Sequence, residues 1–171
     1  LRLSTRPDAI GASNLRFLKL MGVKTIELGA QSLCDSVLKA AARGHSSREV
    51  LEAALKVQQH GFEMGLQLMP GLPRDSRETF LRTVDKSIAL SPSFVRLYPT
   101  VVLSSAPLEH LYRKGHYRPL SLAQAVDWCK EAKQHFVTAG IPVIRMGLQP
   151  SVTLEQPGRI VAGPYHPAFG Q

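Results

Sequence analysis

Residues 62–76 read FEMGLQLMPGLPRDS, and their reading decides the fold. Side chains alternate faces along a strand. Phe62, Met64, Leu66 and Leu68 therefore take one side, and Glu63, Gly65, Gln67 and Met69 the other. The run ends in Pro70, Gly71, Leu72 and Pro73, and a helix-start pattern, Asp75 with Glu78, follows at once. Two prolines and a glycine make this strand exit stiff. A stiff exit lowers the ordering cost of holding a ligand, so the loop is expected to wall a site. Punctuation of the chain for folding alone is the competing explanation.

The same rhythm recurs on either side. Strands are predicted at LRLS (1–4), KTIELGAQ (24–31), FVRLYP (94–99) and VIRMGLQ (143–149), with helices between them. Ser46 with Glu49 and Ser121 with Gln124 mark helix starts; Gly22, Gly61, Gly140 and Ser91-Pro92 mark helix ends. Strand–helix alternation at this spacing implies a parallel sheet with right-handed crossovers.

Every strand has one apolar face and one polar or glycine face. Ile26 and Leu28 oppose Glu27, Gly29 and Gln31, while Val95 and Leu97 oppose Arg96 and Tyr98. Ile144, Met146 and Leu148 oppose Arg145, Gly147 and Gln149, and Leu1 and Leu3 oppose Arg2 and Ser4. A doubly wound sheet is apolar on both faces because helices cover both. Here helices cover one face only, and the polar rows converge on a shared lumen. The fold class is therefore α/β, a partial (β/α) barrel of parallel strands with helices outside. Space in the lumen for a bound molecule competes with internal pairing of Arg2, Glu27, Arg96 and Arg145. Glutamines and glycines near the strands' C-terminal ends favour the ligand, since parallel α/β folds bind there.

The chain has 171 residues, 44% hydrophobic, which suits one core and a single domain over 1–171. It contains no apolar run of membrane-spanning length and no signal-peptide pattern at its start, so a cytoplasmic location and no membrane partner are expected. Cys34 and Cys129 show no metal-ligand spacing, and both fall in helical patterns as small buried residues. No metal site is expected. The net charge of +8 permits an anionic partner such as RNA, although the basic residues are scattered.

Eight motifs occur in a fixed order: LSTRPD (3–8), IELGAQS (26–32), RGH (43–45), LMPGLP (68–73), RLYPTVVL (96–103), GHYRPLS (115–121), PVIRMGLQPS (142–151) and GPYHPAF (163–169). Together they resemble the radical S-adenosylmethionine superfamily, in particular the elongator catalytic subunit group. The resemblance implies the (β/α)6 barrel, here its strands three to six with a C-terminal extension. It implies S-adenosylmethionine as cofactor beside a four-iron four-sulfur cluster held by three cysteines. It implies a 5′-deoxyadenosyl radical for hydrogen abstraction, tRNA as substrate, and an electron donor such as flavodoxin or ferredoxin.

By motif position, Gln31 resembles the glutamine that meets the methionyl end of the cofactor. Arg43 resembles the arginine that binds its carboxylate, a role suited to a two-pronged guanidinium. Gln67 resembles the residue that bonds the ribose hydroxyls, and Tyr98 to Val101 resemble the edge that meets adenine. Glu27, on the same polar row, completes the cofactor-binding set. No catalytic residue is assigned.

No C-x3-C-x2-C occurs, so the cluster loop is expected upstream of residue 1. Residues 1–171 alone are expected to be inactive, with an open edge at their first strand. Three other readings remain: a porphyrinogen-oxidising enzyme of the same superfamily, a barrel enzyme acting on a phosphate ester, and a non-catalytic basic RNA-binding module.

Overall fold

Ile26, Leu28, Leu66, Leu68, Val95 and Leu97 are fully buried, and all lie on one face of a five-stranded sheet. The structure is a computed structural model describing residues 1–170. The elements run in order: β1 (Arg2–Thr5), a 3₁₀ turn (Pro7–Ala9), α1 (Ala12–Leu20), β2 (Thr25–Gln31), α2 (Asp35–Ala40), α3 (Ser47–Gln59), β3 (Glu63–Leu68), α4 (Arg77–Ala89), β4 (Phe94–Leu97), β5 (Val102–Leu103), α5 (Pro107–Arg113), α6 (Leu122–Thr138), β6 (Val143–Met146) and β7 (Ile160–Ala162).

The main sheet has the order β1-β2-β3-β4-β6, with every pairing parallel. Each strand lies beside its predecessor, with no reversal point. Right-handed crossovers in such an order put every helix on the same face. Leu15 of α1, Val50, Ala53, Ala54 and Val57 of α3, Phe80 and Val84 of α4, and Cys129, Ala132 and Phe136 of α6 form one cluster with the apolar strand face. Phe80 stacks on Trp128 with ring centroids 6.0 Å apart, tying α4 to α6.

The opposite face curls inward. The Arg2 guanidinium of β1 sits 4.6 Å from the ring centroid of Phe94 on β4. Their strands are three ladder spacings apart in the sheet order, about 14 Å if flat. The sheet is thus the curved wall of a partial barrel. At its edge, Leu3 of β1 and the preceding Leu1 are exposed. Among the described residues, no helix is long and apolar enough to cross a membrane.

Several expectations need correction. Strict alternation fails in β6: Val95 pairs with Val143 and Arg96 with Arg145, so the register shifts there. The extra residue, Ile144, turns outward and is 45% exposed. β6 ends at Met146, because Gly147 turns at φ 77 and the Phe169 side chain lies where its Cβ would be. The expected FVRLYP strand stops at Leu97. The cap of α4 is Ser76 with Thr79, one residue later than expected, and Asp75 turns back to its own loop. Cys34 precedes α2 and is partly exposed, while Cys129 is buried and its thiol is pushed up to about 12. The antiparallel pair β5–β7 was not expected.

Candidate functional site

The polar face is built outward from the end of β2. Leu28 pairs with Leu66, but Gln31 pairs with Leu68, so β2 carries one extra residue. A tight turn absorbs it: the Ser32 N–H donates to the Ala30 carbonyl at 2.8 Å, and Gln31 between them has φ 63. A non-glycine residue in that region costs about 1–2 kcal/mol, and such strain concentrates where a side chain must be aimed. The Gln31 carboxamide folds back over Gly29, where an added Cβ would lie 2.7 Å from its Nε2. Gln67 Nε2 donates to Gln31 Oε1 at 3.2 Å, so two carboxamides from adjacent strands meet at the strands' C-terminal ends.

Deeper in the lumen, Glu27 is almost wholly buried and its Oε2 lies 3.5 Å from Arg96 Nη1. That oxygen makes no hydrogen bond, nor does the buried Nε of Arg96; Arg96 Nη1 donates to the Tyr98 hydroxyl at 3.4 Å. Internal pairing is therefore limited to Glu27 and Arg96. Arg2 stacks on Phe94 instead, and Arg145, beside Arg96 in the ladder, forms no ion pair among the described residues. The Phe94 ring lies against Gly65, whose missing Cβ leaves it room, and closes the floor of the site.

The strand exits are stitched together. Met69 N–H donates to Gln31 O at 2.8 Å, Tyr98 N–H to Leu68 O at 2.9 Å, and Thr100 N–H to Pro70 O at 2.9 Å. The stiff loop is buried from Pro70 to Pro73. The Tyr117 hydroxyl donates to Gly71 O at 2.6 Å, Asp75 Oδ2 accepts from Gly71 N–H at 3.0 Å, and Leu120 packs where a Gly71 Cβ would stand. Burial holds the Asp75 carboxyl above its usual range, against the pull of its donors Thr79, Gly71 and Ser76. The loop next to Gln67 is thus fixed from both sides.

Arg43 lies in the turn after α2, between Ala42 at φ 50 and Gly44 at φ 72. Its carbonyl accepts from Arg6 Nη2 at 3.0 Å, and Arg6 is clamped by Asp8 through two contacts of 2.9 Å. Its Nε is buried without a partner, and it forms no ion pair among the described residues. Burial, together with the neighbouring Arg6 charge, pulls its pKa down. Arg43 lines a surface depression of about 470 Å³ with Asp35, Lys39, His45, Ser46 and Glu49.

The structure therefore brings Glu27, Gln31, Gln67 and Tyr98 onto one wall. Arg43 stands apart on its loop, tied to that wall through its backbone neighbours. Val101 lies beyond the strand with Gly163 packed on its Cα, and its N–H has no acceptor among the described residues. Sequence reasoning gave no role to Arg6, His45 or Phe94. Arg6 and His45 stand inside the motifs LSTRPD and RGH, and that was their available signal. No group of three His, Cys, Asp or Glu side chains among the described residues could hold a metal.

Residues 1–86 match the family described as the Radical SAM superfamily, and residues 92–171 match the Radical_SAM C-terminal domain. A tRNA uridine(34) acetyltransferase of Dehalococcoides mccartyi is 34% identical over 120 residues, covering 68% of this chain and 26% of that protein. The archaeal Methanocaldococcus infernus Elp3 with an N-terminal deletion superposes with TM-score 0.85 at 24% identity, over 99% of this chain and 39% of that one. Coproporphyrinogen III oxidase (HemN) from Escherichia coli superposes with TM-score 0.65 at 19% identity, over 81% of this chain and 32% of that one. The chain spans about a quarter of the length of the curated relatives it matches.

Proposed function

The chain belongs to the radical SAM superfamily, and we propose that it forms the substrate-side wall of an S-adenosylmethionine-binding barrel in a tRNA-modifying enzyme. The observation that carries this reading is the linked pair Gln31–Gln67, held by a strained turn and a rigid loop at the strands' C-terminal ends. In this proposal the Gln31 carboxamide contacts the methionyl end of the cofactor and the unpaired Arg43 guanidinium receives its carboxylate. Gln67 bonds the ribose hydroxyls. The backbone from Tyr98 to Val101, whose Val101 N–H has no acceptor among the described residues, meets adenine. Glu27 and Arg96 close the base of the cavity, with the Glu27 carboxylate buried against the Arg96 guanidinium.

The residues present suit a zwitterionic, nucleoside-bearing ligand: an orphaned guanidinium nitrogen, two converging carboxamides and a glycine beneath one of them. They do not suit the iron–sulfur cluster, because Cys34 and Cys129 are two cysteines where three are needed, and neither belongs to a group of three metal-ligating side chains among the described residues. Its three cysteines belong, in this proposal, to a part of the protein outside this chain. S-adenosylmethionine bound at such a cluster supplies a 5′-deoxyadenosyl radical that abstracts hydrogen. What this chain contributes is orientation of the cofactor and exclusion of water from its reactive side. Flavodoxin or ferredoxin as electron donor, and the cytoplasm as compartment, are part of the same proposal. The tRNA substrate is supported by sequence likeness to tRNA uridine(34) acetyltransferases; likeness to the porphyrinogen oxidase is one of fold.

The test uses the whole protein, with its cluster reconstituted without oxygen. Arg43→Ala and Gln31→Ala are expected to weaken S-adenosylmethionine binding at least about tenfold, measured by equilibrium dialysis, as loss of a charge-assisted bond implies. 5′-Deoxyadenosine release is expected to rise with tRNA and not with a porphyrinogen. Unchanged affinity in both variants overturns the cofactor roles, and release stimulated only by porphyrinogen overturns the substrate.

A further inference from the structure

Between the Arg43 turn and the Gln31 turn stands His45, a residue only 7% exposed. Its Nε2 is 3.2 Å from the carbonyl oxygen of Ala30. A carbonyl only accepts, so Nε2 carries the hydrogen in this bond and Nδ1 is the ring nitrogen left over. Nδ1 is buried and has no partner.

That arrangement is poor value for stability alone. The Ala30 carbonyl already accepts the Ser32 N–H at 2.8 Å, in the bond that closes the turn around Gln31. It would remain satisfied without the imidazole. Burying Nδ1 unpaired is a cost that an apolar side chain of similar size would avoid. A histidine here calls for a reason other than filling space.

The reason lies in what it joins. Backbone bonds from Ala42 N–H to Lys39 O and from Arg43 N–H to Leu38 O tie the turn from Ala42 to His45 to α2, and two side-chain bonds reach further. Arg6, at the end of β1, donates to the Arg43 carbonyl and lies 3.1 Å from where a Gly44 Cβ would stand. His45 donates to Ala30, one residue before Gln31. The Arg6 anchor ties the turn to β1 only. Among the hydrogen bonds of the described residues, the one from His45 ties it to β2, at the residue whose carbonyl defines the strained turn carrying Gln31.

We infer that His45 is a positioning residue that fixes the spacing between Arg43 and Gln31 through the Ala30 carbonyl. This rests on the reading that Arg43 and Gln31 hold the two ends of one cofactor moiety. His45 itself touches neither cofactor nor substrate. It makes the Arg43 loop and the Gln31 turn move as one body, and so keeps a guanidinium and a carboxamide on different elements at ligand distance.

The experiment compares His45→Leu, His45→Asn and His45→Gln in the whole protein with its cluster reconstituted. His45→Leu is expected to melt at or above the wild-type temperature, yet to bind S-adenosylmethionine about tenfold more weakly, as loss of supporting contacts to a ligand site implies. Amide exchange at Ser32 is expected to speed up in the same variant. His45→Gln carries a donor where Nε2 stands and is expected to bind within about twofold of wild type, while His45→Asn, whose donor reaches only the Nδ1 position, binds as weakly as His45→Leu. Wild-type affinity in His45→Leu overturns the inference. So does a loss in affinity that tracks a fall in melting temperature, or equal affinity in the Gln and Asn variants. If Arg43→Ala and Gln31→Ala leave affinity unchanged, the proposed cofactor site fails; if they weaken it while His45→Leu does not, only the role of His45 fails.

Discussion

Glu27 on β2 and Arg96 on β4 meet at 3.5 Å across an intervening strand, with the carboxylate almost completely shielded from solvent. A buried carboxylate stripped of its cation is expensive, typically 3–5 kcal/mol, whereas an apolar pair of similar volume is often neutral. The contact lacks hydrogen-bond geometry and Arg96 is about a quarter exposed, so the lower end applies. Arg96→Met is expected to destabilise by about 3 kcal/mol. Adding Glu27→Met is expected to recover most of the loss. Denaturant melts of the four-member cycle check this, and a double variant no better than Arg96→Met contradicts it.

Gly65 makes the floor beneath that pair possible. A Cβ there would stand 2.2 Å from Cζ of Phe94, inside the ring's own volume, and the Arg2 guanidinium stacks 4.6 Å from the same ring. The ring has β3 below it and Arg2 beside it, so it gives way only with rearrangement. Gly65→Ala is expected to cost about 1–3 kcal/mol, as overpacking does. Combining it with Phe94→Leu frees the volume and is expected to restore much of the melting temperature, read by calorimetry.

The strand faces were legible because period two is a property of the sequence itself: Leu66, Leu68, Val95 and Leu97 are buried where alternation put them. Where the backbone breaks period, the reading failed. Ile144 is placed outward by a bulge that depends on how β6 registers on β4, and no local pattern encodes that. Gln31 was found as the end of its strand, but its reversed turn and its contact with Gln67 come from the extra residue in β2 relative to β3. β5 and β7, two and three residues long, carry too little periodicity to recognise. His45 and Arg6 act through single bonds to carbonyls remote in sequence, and composition says nothing about such bonds.

Asp75 gives the loop a pH signature. Its carboxyl accepts from Gly71 N–H, Ser76 N–H and the Thr79 hydroxyl, yet burial outweighs these donors and holds its folded pKa above the ordinary value of 3.8. The folded state therefore binds more protons than the unfolded state between those two values, and stability conferred by Asp75 is lost as pH rises through the folded pKa. Relative to Asp75→Asn, the wild type is expected to lose melting temperature from about pH 4 upward and to level off once the pH has passed the folded pKa. A difference that instead grows with pH would mean that the donors outweigh burial. Asp75→Asn at neutral pH is still expected to be less stable by about 1 kcal/mol, because an amide presents one acceptor where the carboxylate presents two.

Gly29 separates binding from folding most cleanly. Its φ is not left-handed and it is only partly buried, so a methyl group there strains no backbone. The nearest atom to an added Cβ is Nε2 of Gln31 at 2.7 Å, the far end of a flexible side chain; the next, the Thr5 carbonyl oxygen, is at an ordinary 3.6 Å. The methyl group therefore displaces the carboxamide and little else. Gln31 would swing away from Gln67 and lose its 3.2 Å bond, which is worth about 1 kcal/mol or less when partly exposed. Gly29→Ala is accordingly expected to lower the melting temperature by no more than a few degrees. If Gln31 orients the methionyl end of the cofactor, the same variant weakens S-adenosylmethionine binding about as much as Gln31→Ala does. Equilibrium dialysis on both variants decides it. Wild-type affinity in Gly29→Ala, alongside a loss in Gln31→Ala, would mean that the folded-back pose over Gly29 is not the one that binds.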